Sequence, residues 1–188
     1  MTIVERAKRI CLAPDAEWAV IASERATLGT LIPGYVLPLA ALSAVGSSIV
    51  TLVAGLGIGL AIRGAVTDLI VAVVGVVVLA TIIDSLAPTF GAVKSSEGAA
   101  KVAAYAPTPA WIAGIFQIIP FIGGLIALIG AVYSLYLLYL GLMRVMKSAA
   151  DRAVGYTVVV VVVAIVVGFV VSYIMALIGV GPAIRFSY

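Results

Sequence analysis

The stretch AYAPTPAWIAGIFQIIPFIGGLIALIG, from Ala104 to Gly130, carries no charged residue, yet it holds three prolines and a Gly-Gly pair. Whether it crosses a membrane once, crosses twice, or dips in and returns decides which flanking residues share a side. It belongs to a charge-free run from 102 to 143. At 1.5 Å of rise per residue that run is about 63 Å of helix, twice the roughly 30 Å of a hydrocarbon core. A break is required, and Pro120 with Gly123-Gly124 supplies it, because proline stops a helix and glycine permits a turn.

Composition says why a membrane is the right frame. Hydrophobic residues make up 64% of the 188 and charged residues 10%, too little polar surface for a soluble domain. Three further charge-free runs cover 26–62, 69–83 and 153–184. The charges of the first 25 residues interrupt any signal-peptide core, so the reading is of a chain inserted by its own spans with nothing removed. Lysines and arginines are spread between apolar blocks, which argues against a nucleic-acid face.

These runs predict an all-α fold, a polytopic bundle of five transmembrane helices preceded by an amphipathic cytoplasmic segment. The spans fall near 35–60, 66–87, 101–119, 124–145 and 154–178, with residues 1–30 cytoplasmic, 31–180 forming the membrane domain and 181–188 a short extracytoplasmic tail. Charge placement favours this division. With the N-terminus inside, Arg6, Lys8, Arg9, Arg25, Lys94, Lys101, Arg144, Lys147 and Arg152 are cytoplasmic, against Arg63 and Arg185 outside. A single crossing by 102–143 would move three cations outside and only Arg185 inside. The opening stretch therefore reads as a helical hairpin that crosses twice.

In the N-terminal segment Ile3, Val4, Ala7, Ile10 and Cys11 share one helix face, with Glu5, Arg6, Lys8 and Arg9 opposite. Such a helix is expected in the headgroup plane. Pro14-Asp15 reads as a second helix start and Trp18 as an interfacial anchor. Pro33, Gly34 and Pro38 mark an irregular entrance to the first span.

Small residues recur every four positions at Ser43, Ser47, Thr51, Gly55 and Gly59, and at Ala164, Gly168, Ser172 and Ala176. Packing within the bundle is their leading use, and a homodimer contact the sharper alternative. Asp68 is expected at the outer start of the second span, where a helix N-terminus favours a carboxylate. Asp84 and Lys101 fall near the inner ends of neighbouring spans and are expected to pair, as a structural lock or the floor of a polar site. Pro107 either frees carbonyls for a substrate or is a kink repaired by Thr108 or a neighbouring helix. Tyr136, between Tyr133 and Tyr139, packs in the bundle or lines a ligand strip. Asp84, Lys101, Pro107 and Tyr136 thus form the candidate polar cluster, and Ser47, Thr51, Gly55, Gly59, Gly168 and Ser172 the candidate packing stripe.

An enzyme reading has little to stand on. There is no histidine, Cys11 is the only cysteine, and no nucleophile sits at a fixed spacing from a base. No cofactor or metal is expected.

The order of features resembles the Yip (Ypt-interacting protein) domain family in its short bacterial form. The resemblance rests on PDAEWAVIASE from Pro14, KVAAYAPTPAWIAGIF from Lys101, YSLYLLYLGLMRVMK from Tyr133 and ADRAVGYTVVVVVVAIVV from Ala150. It covers nearly the whole chain and implies a non-catalytic, five-span protein with a cytoplasmic N-terminus. Eukaryotic relatives contact prenylated small GTPases. This chain has no counterpart of their acidic Asp-Leu-Tyr-Gly-Pro stretch, and no binding residue is carried over. The expected function is a membrane adaptor or organiser acting through helix packing and a basic cytoplasmic face. Its expected partners are the lipid bilayer, a second copy of itself and a cytoplasmic protein. The alternative is a small transporter or channel for a lipid or small solute.

Overall fold

A computed structural model describes residues 1–177, with side chains as far as Val170 and at Tyr173. Helices and turns account for the described residues, with no strand among them. Helix α1 (Ile3–Leu12) opens on a capping box in which Thr2 Oγ1 accepts from the Glu5 amide and the Glu5 carboxylate accepts from the Thr2 amide. Helix α2 (Pro14–Ser23) starts at Pro14, a first-turn position where a missing N–H costs nothing.

The pair α1–α2 packs onto the bundle. Ala7 and Ile10 are buried in the same core as Trp18, which is 0% exposed. Trp18 is therefore no interfacial anchor. Its ring meets Tyr105 edge-on, and a Cβ on Gly141 would stand only 3.0 Å from it, so Gly141 makes the slot it fills. The amphipathic face of α1 is covered partly by the protein itself: Ile10 is fully buried, while Val4 stays exposed.

Helix α3 (Leu28–Leu31), a π turn over Ile32–Val36 and α4 (Leu37–Val53) run on as one helix, Leu28–Val53. The π turn falls on Pro33-Gly34, where the missing amide disrupts the regular ladder. The chain then reverses at Ala54–Gly57, with Gly55 and Gly57 at positive φ, and α5 (Ile58–Leu86) returns, extended by a 3-10 turn over Ala87–Phe90. The first span thus ends earlier than the expected residue 60, and the second begins at 58 rather than 66.

Four helical stretches are long and apolar enough to cross a membrane: Leu28–Val53, Ile58–Phe90, α8 (Ile122–Arg144) and the Ala150–Val170 part of α9 (Ala150–Leu177). The expected span at 101–119 falls instead on a broken segment. It comprises α6 (Ser96–Tyr105), a turn at 106–107, α7 (Thr108–Gly114) and a 3-10 turn over Ile115–Ile118. Pro107 and Pro109 account for the break. The chain reverses at Pro120 and Phe121, the latter at φ 63, and α8 runs back along α7. The Ala104–Gly130 stretch thus holds a helical hairpin, with α7 and α8 as its arms.

Helix α6 sits at the centre, buried at every position from Gly98 to Tyr105. It packs against α5, α3 and α8, and its side chains join the core that receives Trp18. The loops at this end are tied together by a Val93 amide donating to the Met146 carbonyl at 2.8 Å. Phe90 stacks on Tyr156, linking α5 to α9.

Candidate functional site

The polar end is closed by charges that neutralise one another. Lys101 is 5% exposed, and its ammonium donates to the carbonyls of Ala22, at 3.2 Å, and Glu24, at 2.9 Å. These lie at the C-terminus of α2, where carbonyls lack helical partners and the helix dipole is negative. Arg6 donates to Glu17 at 2.6 Å and to both oxygens of Glu24 at 2.5 and 2.6 Å, with its guanidinium 5.6 Å from the Tyr105 ring centre. Burial works against the Arg6 charge, but the Glu24 hydrogen bond together with Tyr105 and Glu17 outweighs it, so its pKa lies above the ordinary arginine value. Glu97 accepts from the Ala26 amide at 2.8 Å, fastening the chain between α2 and α3 to α6.

The four residues of the expected polar cluster do not converge. The expected Asp84–Lys101 pair does not form, because the Lys101 ammonium is drawn to α2 instead. Asp84 Oδ1 is buried without a hydrogen-bond partner, beside Ile83, whose carbonyl accepts from the Tyr156 hydroxyl. Tyr136 is 43% exposed, its ring 5.7 Å from that of Tyr133. Tyr133 reaches across the bundle to donate to the Cys11 carbonyl at 2.7 Å. Pro107 stands at a repaired kink: Thr108 Oγ1 donates to the Tyr105 carbonyl at 2.6 Å and meets the Tyr35 hydroxyl at 2.9 Å. Among the described residues no group of three His, Cys, Asp or Glu side chains could hold a metal ion.

The packing stripe divides as well. Ser47 Oγ donates to Asp68 at 2.7 Å, and Thr51 Oγ1 donates back to the Ser47 carbonyl at 2.9 Å. Gly55 lies in the turn, so the four-residue pattern leaves the helix there, and Gly59 belongs to α5. Gly59 and Gly168 have nothing within 4 Å of where a Cβ would stand. The Ser172 side chain lies outside the described residues. A close crossing of α4 and α7 joins Ser43, the first member of the four-residue repeat, to glycines outside it: a Cβ on Gly46 would lie 2.6 Å from the Gly114 carbonyl oxygen, and one on Gly114 would meet the Ser43 side chain.

Asp68 departs furthest from expectation. Because α5 begins at Ile58, Asp68 sits ten residues in, about 15 Å along the axis, and not at a helix start. Around it α5 presents exposed Val66, Ile70 and Val71.

Two adjoining cavities lie on this side. An apolar groove of about 480 Å³ runs between α5, around Gly75, and α9, around Gly168, with Pro107 and Trp111 also on its wall. A smaller cavity of about 270 Å³ is lined by Ser43, Ser47, Asp68 and Gln117 among others. Val71, Ala72 and Trp111 line both. Neither reaches Asp84, Lys101 or Tyr136.

Compared with known families, the chain matches the Yip1 domain over residues 8–180 and belongs to that family. No curated protein and no solved structure gives a significant match.

Proposed function

We propose that this member of the Yip1 domain family is a non-catalytic membrane adaptor, a rigid bundle that presents a basic face to the cytoplasm. The observation that carries the reading is the closed polar end. The buried charges Arg6, Glu17 and Lys101 are satisfied inside the bundle, whereas Lys8, Arg9, Arg25, Lys94, Lys147 and Arg152 point outward, against exposed Glu5, Asp15 and Asp151. Satisfied buried charges hold a shape, and exposed cations attract an acidic partner without any moving part.

In this proposal the broken segment Ser96–Ile118 is a fifth crossing, the N-terminus is cytoplasmic, and the chain exits through α9 into a short extracytoplasmic tail in a bacterial cytoplasmic membrane. Residues 1–30 form the cytoplasmic segment and 31–180 the membrane domain. A second copy meets the turn after α4 at Gly55, where nothing lies within 4 Å of a Cβ position.

The test is a photo-crosslinking residue at Lys147 in living cells. Discrete cytoplasmic adducts, lost when Lys94 and Arg152 are changed to Glu in a protein of unchanged thermal stability, support the adaptor. Adducts indifferent to that charge reversal would refute it. A transporter is the second reading, favoured by the groove beside the Pro107 kink. Protein-dependent flux of lipid or solute across reconstituted vesicles would put it first.

A further inference from the structure

Asp68 has no structural account of the usual kind. It is not at a helix terminus, and none of the three ion pairs among the described residues includes it. A carboxylate on a lipid-facing helix is costly, and such residues commonly mark a ligand. Among the described residues its protein partner is the Ser47 hydroxyl, a single neutral donor that it shares with the Ala44 carbonyl, for a group that accepts several hydrogen bonds. The cavity it lines shares Val71, Ala72 and Trp111 with the apolar groove between α5 and α9. One end is therefore anionic and hydroxyl-rich, the other apolar, and the two share a wall. The groove's volume, about 480 Å³, is in the range of about 300–1,000 Å³ typical of ligand sites.

We propose that these cavities together bind one phospholipid with an ethanolamine head group, its ammonium on Asp68 and one acyl chain along the α5–α9 groove. Charge complementarity selects the head. A primary ammonium donates to the Asp68 carboxylate and to the Ser43 and Ser47 oxygens, a choline head has no N–H to donate, and a glycerol head leaves the lipid anionic beside a carboxylate. The groove selects an aliphatic chain because no charged side chain among the described residues lines it. Gly75 and Gly168 lie on its wall with no heavy atom within 4 Å of a Cβ position, so a side chain added at either would take up space in the groove. The proposal does not depend on the adaptor reading: an adaptor or a transporter could hold this lipid.

The chain has two tryptophans, Trp18 in the core and Trp111 on the shared wall, so the protein carries its own reporter. Trp18→Phe removes the first, and since Trp18 Nε1 makes no hydrogen bond, none is lost. The full chain with this change is reconstituted in phosphatidylcholine vesicles. Trace lipids with brominated acyl chains and ethanolamine, choline or glycerol heads are then compared as quenchers of Trp111. The expected result is quenching by the ethanolamine lipid about ten-fold more effective per mole than by the others, the scale of a charge-assisted hydrogen bond. Asp68→Asn makes the three heads equal, Asp68→Glu keeps the preference, and Gly168→Leu lowers quenching by all three. Equal quenching by the three heads in the parent protein, a stronger effect of the glycerol lipid, or a preference unchanged in Asp68→Asn would overturn the assignment.

Discussion

Replacing Gly46 by Ala tests whether the small residues of α4 close an intramolecular contact. The new Cβ would stand 2.6 Å from the Gly114 carbonyl oxygen and 2.9 Å from Ile115 Cα, both backbone atoms that no rotamer change can move aside. Overpacking of this kind costs about 1–3 kcal/mol, while exchanging Gly for Ala within a helix returns about 0.5–1 kcal/mol. Because the clash is with backbone, the upper part of that cost applies, about 2–3 kcal/mol, and a net loss of about 1–2.5 kcal/mol follows, or roughly 2–10 °C in Tm for a chain of this size. Gly59→Ala is the matched control: it also lies in a helix, has nothing within 4 Å, and should leave stability level or slightly raised. The assay is thermal unfolding of the purified variants in one detergent, followed by tryptophan emission. If Gly46→Ala melts with the parent protein, or if Gly59→Ala is the more damaging, α4 and α7 do not cross as described.

Lys101→Met strips the cation from the α2 carbonyls and should speed hydrogen exchange in α1 and α2 by about ten-fold or more, the scale of leaving buried acceptors unsatisfied. Asp84→Asn should leave that exchange unchanged, and equal effects would revive the direct pair. Thr108→Val uncaps the Tyr105 carbonyl and takes a partner from Tyr35, a loss of about 1–3 kcal/mol that Thr108→Ser should largely restore in a melting assay. Five crossings require single cysteines at Lys94 and Lys147 to react with an impermeant thiol reagent only from inside, and one at Gly124 only from outside. Burial pushes the Cys11 thiol up and slows its background reaction, which a Cys11→Ser parent removes entirely. Labelling of Gly124→Cys from the cytoplasmic side would mean that the hairpin dips and returns.

Proline and glycine punctuation was legible in the sequence. The reversal at Pro120, the start of α2 at Pro14 and the irregularity at Pro33-Gly34 all lie where local rules put them. The turn at Ala54–Gly57 was not, because its residues are as apolar as the helices it joins, and Gly55 and Gly59 also fit a packing repeat. In water a drop in hydropathy marks a turn; here only the positive φ of Gly55 and Gly57 does. Asp68 followed from that error, since its depth is counted from where α5 starts. For Asp84 and Lys101 the sequence placed both near one end of the bundle, but the direction of each around its helix depends on which neighbour packs where. Trp18 shows the same limit: periodicity tells that a face is apolar, not whether lipid or protein covers it.

The break at Pro107 connects the two halves of the molecule. Above it, α7 leaves the line of α6 and packs on α4 and α8, drawn close to α4 by the absence of side chains at Gly46 and Gly114. Helices α5 and α9 meet firmly near Ile83, Phe90 and Tyr156, yet farther along they flank the groove, into which α7 contributes Trp111. An unbroken helix from Ser96 to Ile118 would carry the line of α6 onward and bring its side chains toward that space. The glycine crossing and the groove are then one device, and Gly46→Ala, by pushing α7 off α4, should weaken discrimination among lipid heads at Trp111 as well as lower the melting temperature. Gly59→Ala, remote from both, should alter neither. A Gly46→Ala protein that melts early but still selects ethanolamine lipid as its parent does would separate the crossing from the cavity and leave Pro107 alone to account for the groove.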